Sequence, residues 1–140
     1  MTFSIKKTTW AEDEQHLKAV REAVFVKEQR VPEDIEWDGE DQNATHFLAT
    51  NESNEPIGCI RLLPSGKISR LSVLETHRNN GIGNALLMAA AAEAKALGMK
   101  EIYLHAQTHA TSFYEAAGFA VTGGIFIEAD IPHRQMFKQL

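Results

Sequence analysis

The segment Leu71-Ser72-Val73-Leu-Glu-Thr-His-Arg78-Asn79-Asn80-Gly81-Ile82-Gly83-Asn84 constrains this chain more than any other. Before it, Lys67 to Val73 reads as a strand. After it, Ile82, Leu86, Ala90, Ala94 and Leu97 recur at helical spacing, and Gly98 supplies a stop. The spacing predicts a helix over residues 81–97. Glycines at such a junction let backbone N–H groups converge at the positive end of a helix, and Arg78 adds a cation, so the junction suits an anion such as a pyrophosphate. Two familiar phosphate loops fail on spacing. G-x-x-x-x-G-K-[ST] is absent, and G-x-G-x-x-G breaks because its last position is Leu86. The bland alternative is that the glycines only start a helix; the arginine, the asparagines and the preceding strand weigh against it.

The other elements follow from the same signals. Phe3 to Lys6 alternates like a strand, and Leu17, Val20 and Val24 place a helix over about 13–29, with Glu28 on the same spacing and Val31-Pro32 as its end. Three strand-like runs, from Thr45, Ile57 and Lys67, are separated by turn signals and form an antiparallel meander. After the helix over 81–97 come a strand at Ile102 to His105, a short helix at Ala110 to Ala117, and strands at 119–128 and 133–138. The order is β-α-β-β-β-α-β-α-β-β: an α/β (α+β) fold with a mixed, mostly antiparallel sheet flanked by helices. Its 140 residues suffice for one domain over 1–140.

A net charge of -5 opposes nucleic acid and anionic membranes as partners. The longest apolar run, Ala85 to Ala92, is short of the ~20 residues a membrane span needs. The start of the chain lacks a signal-peptide core, and the single Cys59 offers no internal disulfide, so a cytoplasmic location is expected. His105 and His109 are spaced like zinc ligands, but no H-E-x-x-H glutamate lies between them and the segment reads as strand then loop, so no metal is expected. Glu33 to Asp41, with Trp37 inside it, is read as a solvated acidic stretch, the alternative being a wall of an acceptor pocket.

The run R-x-x-G-x-G after an L-x-V strand resembles the coenzyme A loop of the GNAT N-acetyltransferases. The segment Gln107-Thr-His-Ala110-Thr-Ser-Phe113-Tyr114-Glu-Ala-Ala-Gly118-Phe119 is similar to that superfamily's N-x-x-A…Y-x-x-x-G-F signature. VFVKEQRVP, HAQTHA and IPHRQM resemble the small members of ElaA and YjcF type. The resemblance implies acetyl-CoA as co-substrate and a small-molecule amine as acceptor, in a monomer or homodimer. It implies that Leu71, Ser72 and Val73 present backbone groups to the pantetheine arm, and that Arg78, Asn79, Asn80, Gly81, Ile82, Gly83 and Asn84 wrap the pyrophosphate. Gln107 stands where many members carry an asparagine, keeping the amide with a longer reach, and Phe113 joins the coenzyme contacts.

Acetyl transfer needs a neutral amine, a stabilised oxyanion and a protonated leaving thiolate. The resemblance implies Tyr114 as donor to the sulfur; its alternative is a buried ring with a solvated hydroxyl. The oxyanion is assigned to the Val73 N–H. The glutamate that many members keep on the strand before the phosphate loop has no counterpart in Lys67 to Val73. The closing P-H-x-x-M pattern resembles the segment that supplies a histidine base in glyphosate N-acetyltransferases, which makes His133 the candidate base; the alternative is a histidine that only starts a strand. Arg70 and His105 are candidates for the acceptor pocket, against an outward-facing arginine and a histidine satisfied in the core. Two other functions compete: a non-catalytic acyl-CoA sensor, which Tyr114 disfavours, and a nucleotide site, which the missing P-loop lysine disfavours.

Overall fold

The computed structural model describes residues 2–140. Strand β1 (Phe3–Thr8) leads into helix α1 (Trp10–Arg21), whose first turn is capped by Thr9 accepting from the Glu12 amide at 3.2 Å. The helix thus starts earlier than the acidic residues suggested. It continues as a π-helical segment, Glu22–Glu28, with Gln29 N–H reaching back to Val24 O at 3.0 Å. Such wide turns are rare and concentrate at functional sites. A one-turn helix, α2 (Glu33–Glu36), follows.

Strands β2 (Thr45–Asn51), β3 (Pro56–Leu62) and β4 (Ile68–Val73) continue β1 into an antiparallel sheet ordered β1-β2-β3-β4. Helix α3 (Ile82–Ala96), β5 (Glu101–Gln107), α4 (Thr111–Ala116), β6 (Ala120–Glu128) and β7 (Ile131–Gln139) complete the chain, with a second antiparallel sheet ordered β5-β7-β6. The expected order and fold class hold.

Both faces of the first sheet are covered. Phe47, Ala49, Ile60 and Leu62 face α3, where Ile82, Leu86, Ala90 and Ala94 are 0–1% exposed. Leu48 and Cys59 face α1, against Trp10, Leu17 and Val20. Truncating a residue such as Leu86 here costs about 2–5 kcal/mol. Leu97, expected on the buried face, is 58% exposed because the helix ends at Ala96 and Leu97 serves as its cap. No helix among the described residues is long and apolar enough to cross a membrane.

The stretch Glu33 to Asp41, expected to be a solvated acidic run, is solvated only in part: Glu33, Asp34 and Glu40 are exposed. Glu36 is 2% and Asp41 4% exposed, and both are bound by arginines of other elements. Arg21 donates to Glu36 at 2.7 Å and to Asp41 at 2.6 Å. Arg61 grips Asp38 with two bonds of 2.9 Å and reaches Asp41 at 3.0 Å. Arg70 stands 3.1 Å from Glu36 and 3.2 Å from Asp38. Three carboxylates thus balance three guanidiniums, and Trp10 and Trp37 cover the Arg21 cation from ring centres 5.5 and 5.1 Å away. Charge runs are usually solvated; Glu36 and Asp41 are buried because their counter-ions arrive from α1, β3 and β4.

The two sheets meet only at the start of β4 and β5. Lys67 and Tyr103 form a parallel bridge, with Tyr103 N–H donating to Gly66 O at 3.1 Å. Beyond that point the strands part, opening a wedge between the Val73 end of β4 and the Gln107 end of β5. A bulge in β4 shifts its register against β3, and Arg70, at φ 57°, takes up the left-handed backbone.

Candidate active site

The wedge is a cleft of about 1140 Å³. Of the residues singled out from the sequence, Leu71, Ser72, Val73, Arg78, Asn79, Gly81, Ile82, Gly83, Asn84, Gln107, Phe113, Tyr114, Arg70, His105 and His133 all line it. Asn80 does not. Its side chain turns back to donate to His77 O and Arg78 O at 3.1 Å, which shapes the loop from within.

The mouth of the cleft is the start of α3. Gly81 caps the helix at φ 81°, a left-handed backbone that favours glycine, and no side chain caps the amides. The first rung is Ala85 N–H to Gly81 O at 3.0 Å, so the Ile82, Gly83 and Asn84 amides precede the ladder without helical partners. A Cβ on Gly81 would meet nothing within 4 Å, and one on Gly83 would meet only Phe113 and Val73, at 3.6 Å or more. The loop is therefore bare rather than packed, as an incoming pyrophosphate requires, and its residues fit a coenzyme of that kind.

Arg78 stands beside this opening. It donates Nε to Val73 O at 3.0 Å and grips Glu28 of the π-helical segment at 2.8 and 2.6 Å. That bond holds the Glu28 carboxyl below its ordinary range and raises Arg78 in return. On β4, Leu74 N–H bonds Ile57 O at 2.9 Å, and alternation along a strand therefore turns the Val73 N–H away from β3 into the gap. The Ser72 side chain points the other way, 3.3 Å from Cys59 Sγ, whose thiol burial pushes up to about 11. Across the gap, Gln107 donates to Gln29 at 2.8 Å, tying the end of β5 to the end of the first helix.

Tyr114 packs edge-on against Phe113 and Phe119. Burial pushes its phenol up to about 12, so it keeps its proton and serves as a hydrogen-bond donor across the neutral range.

On the far wall, His133 is 6% exposed and stacked on Phe126. Its Nδ1 lies 2.7 Å from Ile131 O, and a carbonyl only accepts, so Nδ1 carries a proton and Nε2 is the nitrogen left open to a partner. Sequence reasoning missed Glu128, which faces both histidines: Oε1 is 3.1 Å from His105 Nδ1, and Oε2 is 3.9 Å from His133 Nε2. The signal lay in the hairpin register, because Phe126 pairs with His133 and Glu128 with Ile131 across a two-residue turn. That turn, Ala129-Asp130 at φ 52° and 60°, lacks the usual Asn-Gly signature. Arg70 lines the cleft; one terminal nitrogen donates to Asp38 and to the Ile35 and Glu36 carbonyls, while Nε lies 3.1 Å from the Glu36 carboxylate without a hydrogen bond.

Two strands splayed over an uncapped helix start, with a phenol and an imidazole in the same cleft, define a coenzyme-dependent acyl-transfer fold. The chain belongs to the GNAT acetyltransferases, since the model of the acetyltransferase (GNAT) domain matches residues 10–140. It is 37% identical to the uncharacterized N-acetyltransferase YjcF of Bacillus subtilis over 139 residues, covering 94% of this chain and 99% of that one. Among solved structures it is similar to an acyl-CoA N-acyltransferase from Pseudomonas aeruginosa, at 28% identity and a TM-score of 0.87, with 98% and 99% of the two chains covered. The Escherichia coli ElaA structure is matched at 27% identity, TM-score 0.87 and the same coverage.

Proposed function

We propose that this chain, as one domain over residues 1–140, moves an acetyl group from acetyl-CoA to the amine of a small molecule by direct attack in a ternary complex. The observation that carries the reading is that the uncapped α3 start, the Val73 amide, Tyr114 and His133 all line one cleft. The similarity to an acyl-CoA N-acyltransferase agrees with it.

Acetyl-CoA, when bound, supplies an acyl group activated as a thioester. The Ile82, Gly83 and Asn84 amides receive the pyrophosphate, and Arg78 completes the anion site by exchanging Glu28 for phosphate oxygens. His133 Nε2 takes the proton of the acceptor, whose amine otherwise stays ionised at neutral pH. The Val73 N–H donates to the acyl oxygen as charge grows there. Tyr114 donates its hydroxyl proton to a hydrogen bond with the departing sulfur, which matters as the C–S bond breaks.

The test is calorimetry paired with turnover. The wild-type protein should bind acetyl-CoA and coenzyme A but not ATP, and should release free thiol with members of an amine panel. Gly83→Val should lose acetyl-CoA affinity while remaining folded, because its Cβ makes ordinary contacts with Phe113 and Val73 and the side chain occupies the approach of the phosphates. Equal affinity in the folded Gly83→Val protein would refute the coenzyme site. Binding without thiol release across amines, polyamines and peptides would refute catalysis.

A further inference from the structure

The carboxylates that line the cleft are not equivalent. Glu36 and Asp38 are tied to Arg21, Arg61 and Arg70, and Glu28 is tied to Arg78. Glu128 faces only two imidazoles. His105 Nδ1, at 3.1 Å, donates to Oε1, since a carboxylate only accepts. The other oxygen has a different neighbour. His133 Nδ1 donates to Ile131 O, so in the neutral ring the Nε2 lone pair and Glu128 Oε2 face one another across 3.9 Å, too far for a direct hydrogen bond. Two acceptors opposed at that distance call for a donor between them that offers more than one N–H or O–H, and a positive charge on that donor would satisfy both.

We infer that Glu128 is the carboxylate that binds the acceptor nitrogen, held there as an ammonium cation. This rests on the acetyltransferase reading above. One ammonium N–H bonds Glu128 Oε2 and another points at His133 Nε2. When the proton moves, the ammonium N–H bond breaks, the Nε2–H bond forms, and the nitrogen keeps the electron pair with which it attacks the acyl carbon. The positive charge passes to the imidazole beside the same carboxylate, so the transfer happens within one ion pair and separates no charge. Phe25, Val31, Ile35 and Ile131 line the same cleft and offer apolar surface to the stem of such an amine. The Ala129-Asp130 turn, with two left-handed residues in succession, holds Glu128 opposite Ile131 and beside His133.

The test follows the imidazole resonances of His105 and His133 by NMR as n-butylammonium is titrated into the wild-type protein, with n-butanol as a neutral probe of the same stem. The amine should shift both rings and saturate, the alcohol should need at least tenfold higher concentration, and Glu128→Gln should weaken the amine at least tenfold. Glu128→Asp, which keeps the charge, should restore part of the affinity. Glu128 is 45% exposed, so the glutamine variant should fold, and its acetyl-CoA affinity by calorimetry should match the wild type. Equal binding of amine and alcohol, unchanged amine binding in Glu128→Gln, or histidines that ignore the amine would each overturn the inference. A wild-type protein that fails to bind acetyl-CoA would instead overturn the coenzyme reading, and the amine titration without coenzyme would still decide the role of Glu128.

Discussion

Two clusters of ionisable groups flank the splay, built from similar residues to opposite effect. On the α1 side of the first sheet, Arg21, Arg61 and Arg70 meet Glu36, Asp38 and Asp41, with most members nearly sealed from solvent and charge balanced inside the cluster. On the second sheet, His105 and His133 meet a single carboxylate, Glu128, that is 45% exposed and faces no arginine or lysine within salt-bridge distance among the described residues. A closed, balanced cluster cannot exchange partners without stranding a charge, so it fixes one wall of the cleft. An open, unbalanced one can take up a proton or a ligand. Arginine suits the first task because it stays charged, and histidine suits the second because its charge changes near neutrality.

The sharpest way to break this contrast is to remove one member from each side. Arg61→Met leaves Asp38 and Asp41 without their shared partner and should cost about 3–5 kcal/mol in urea or thermal unfolding. Glu128→Gln should change stability by less than about 0.5 kcal/mol, as for an ordinary surface substitution. Similar losses at both sites would dissolve the distinction.

Activity should show the reverse. His133→Ala should lower kcat on the order of 10²- to 10⁴-fold with acetyl-CoA affinity retained. The wild-type rate should fall toward acid as the base takes up a proton, and the alanine variant should lack that limb. An acceptor with a weakly basic amine should lose less. A variant with the wild-type pH profile would place the base elsewhere.

Acid should expose the closed cluster. Burial alone would raise Asp38, but its hydrogen bonds from Arg61 and the Glu40 amide, with the Arg61 and Arg70 charges, bring it down to about 2. A carboxylate held below its ordinary 3.8 adds stability that is complete above that value and is lost as pH falls toward 2. Glu36 has the opposite sign, because burial raises it against the pull of Arg70 and Arg21. Melting temperatures measured between pH 5 and 2 should fall over the lower part of that range, and Arg61→Met should flatten the slope.

The smallest effect concerns the bond that links the π-helical segment to the coenzyme loop. Glu28 holds Arg78 where phosphate oxygens are expected, so Glu28→Gln should tighten acetyl-CoA binding by roughly two- to fivefold, the scale of an exposed ion pair worth up to about 1 kcal/mol. Weaker binding in calorimetry would mean that Glu28 positions Arg78 for the coenzyme instead of competing for it.

Local pattern alone determined the order of elements, the helix after Gly81, its buried Ile82, Leu86, Ala90 and Ala94, and the glycine start that no side chain caps. Each depends on periodicity or backbone freedom over a few neighbouring residues, and both are written in the chain. That Tyr114 and His133 line the same cleft as this loop was legible through their resemblance to known motifs. The tertiary structure decided the rest. It buried Glu36 and Asp41 and bound Asp38, because the arginines that neutralise them lie 15 to 34 residues away on α1, β3 and β4. It committed Arg70 to that cluster and lent Arg78 to Glu28, 50 residues distant in sequence. It also carried Glu128 to the two histidines through a hairpin register set by an atypical turn. Charge partners over such separations leave no periodic trace, so a sequence can name the ionisable groups while only the packed sheets decide which of them remain free to react.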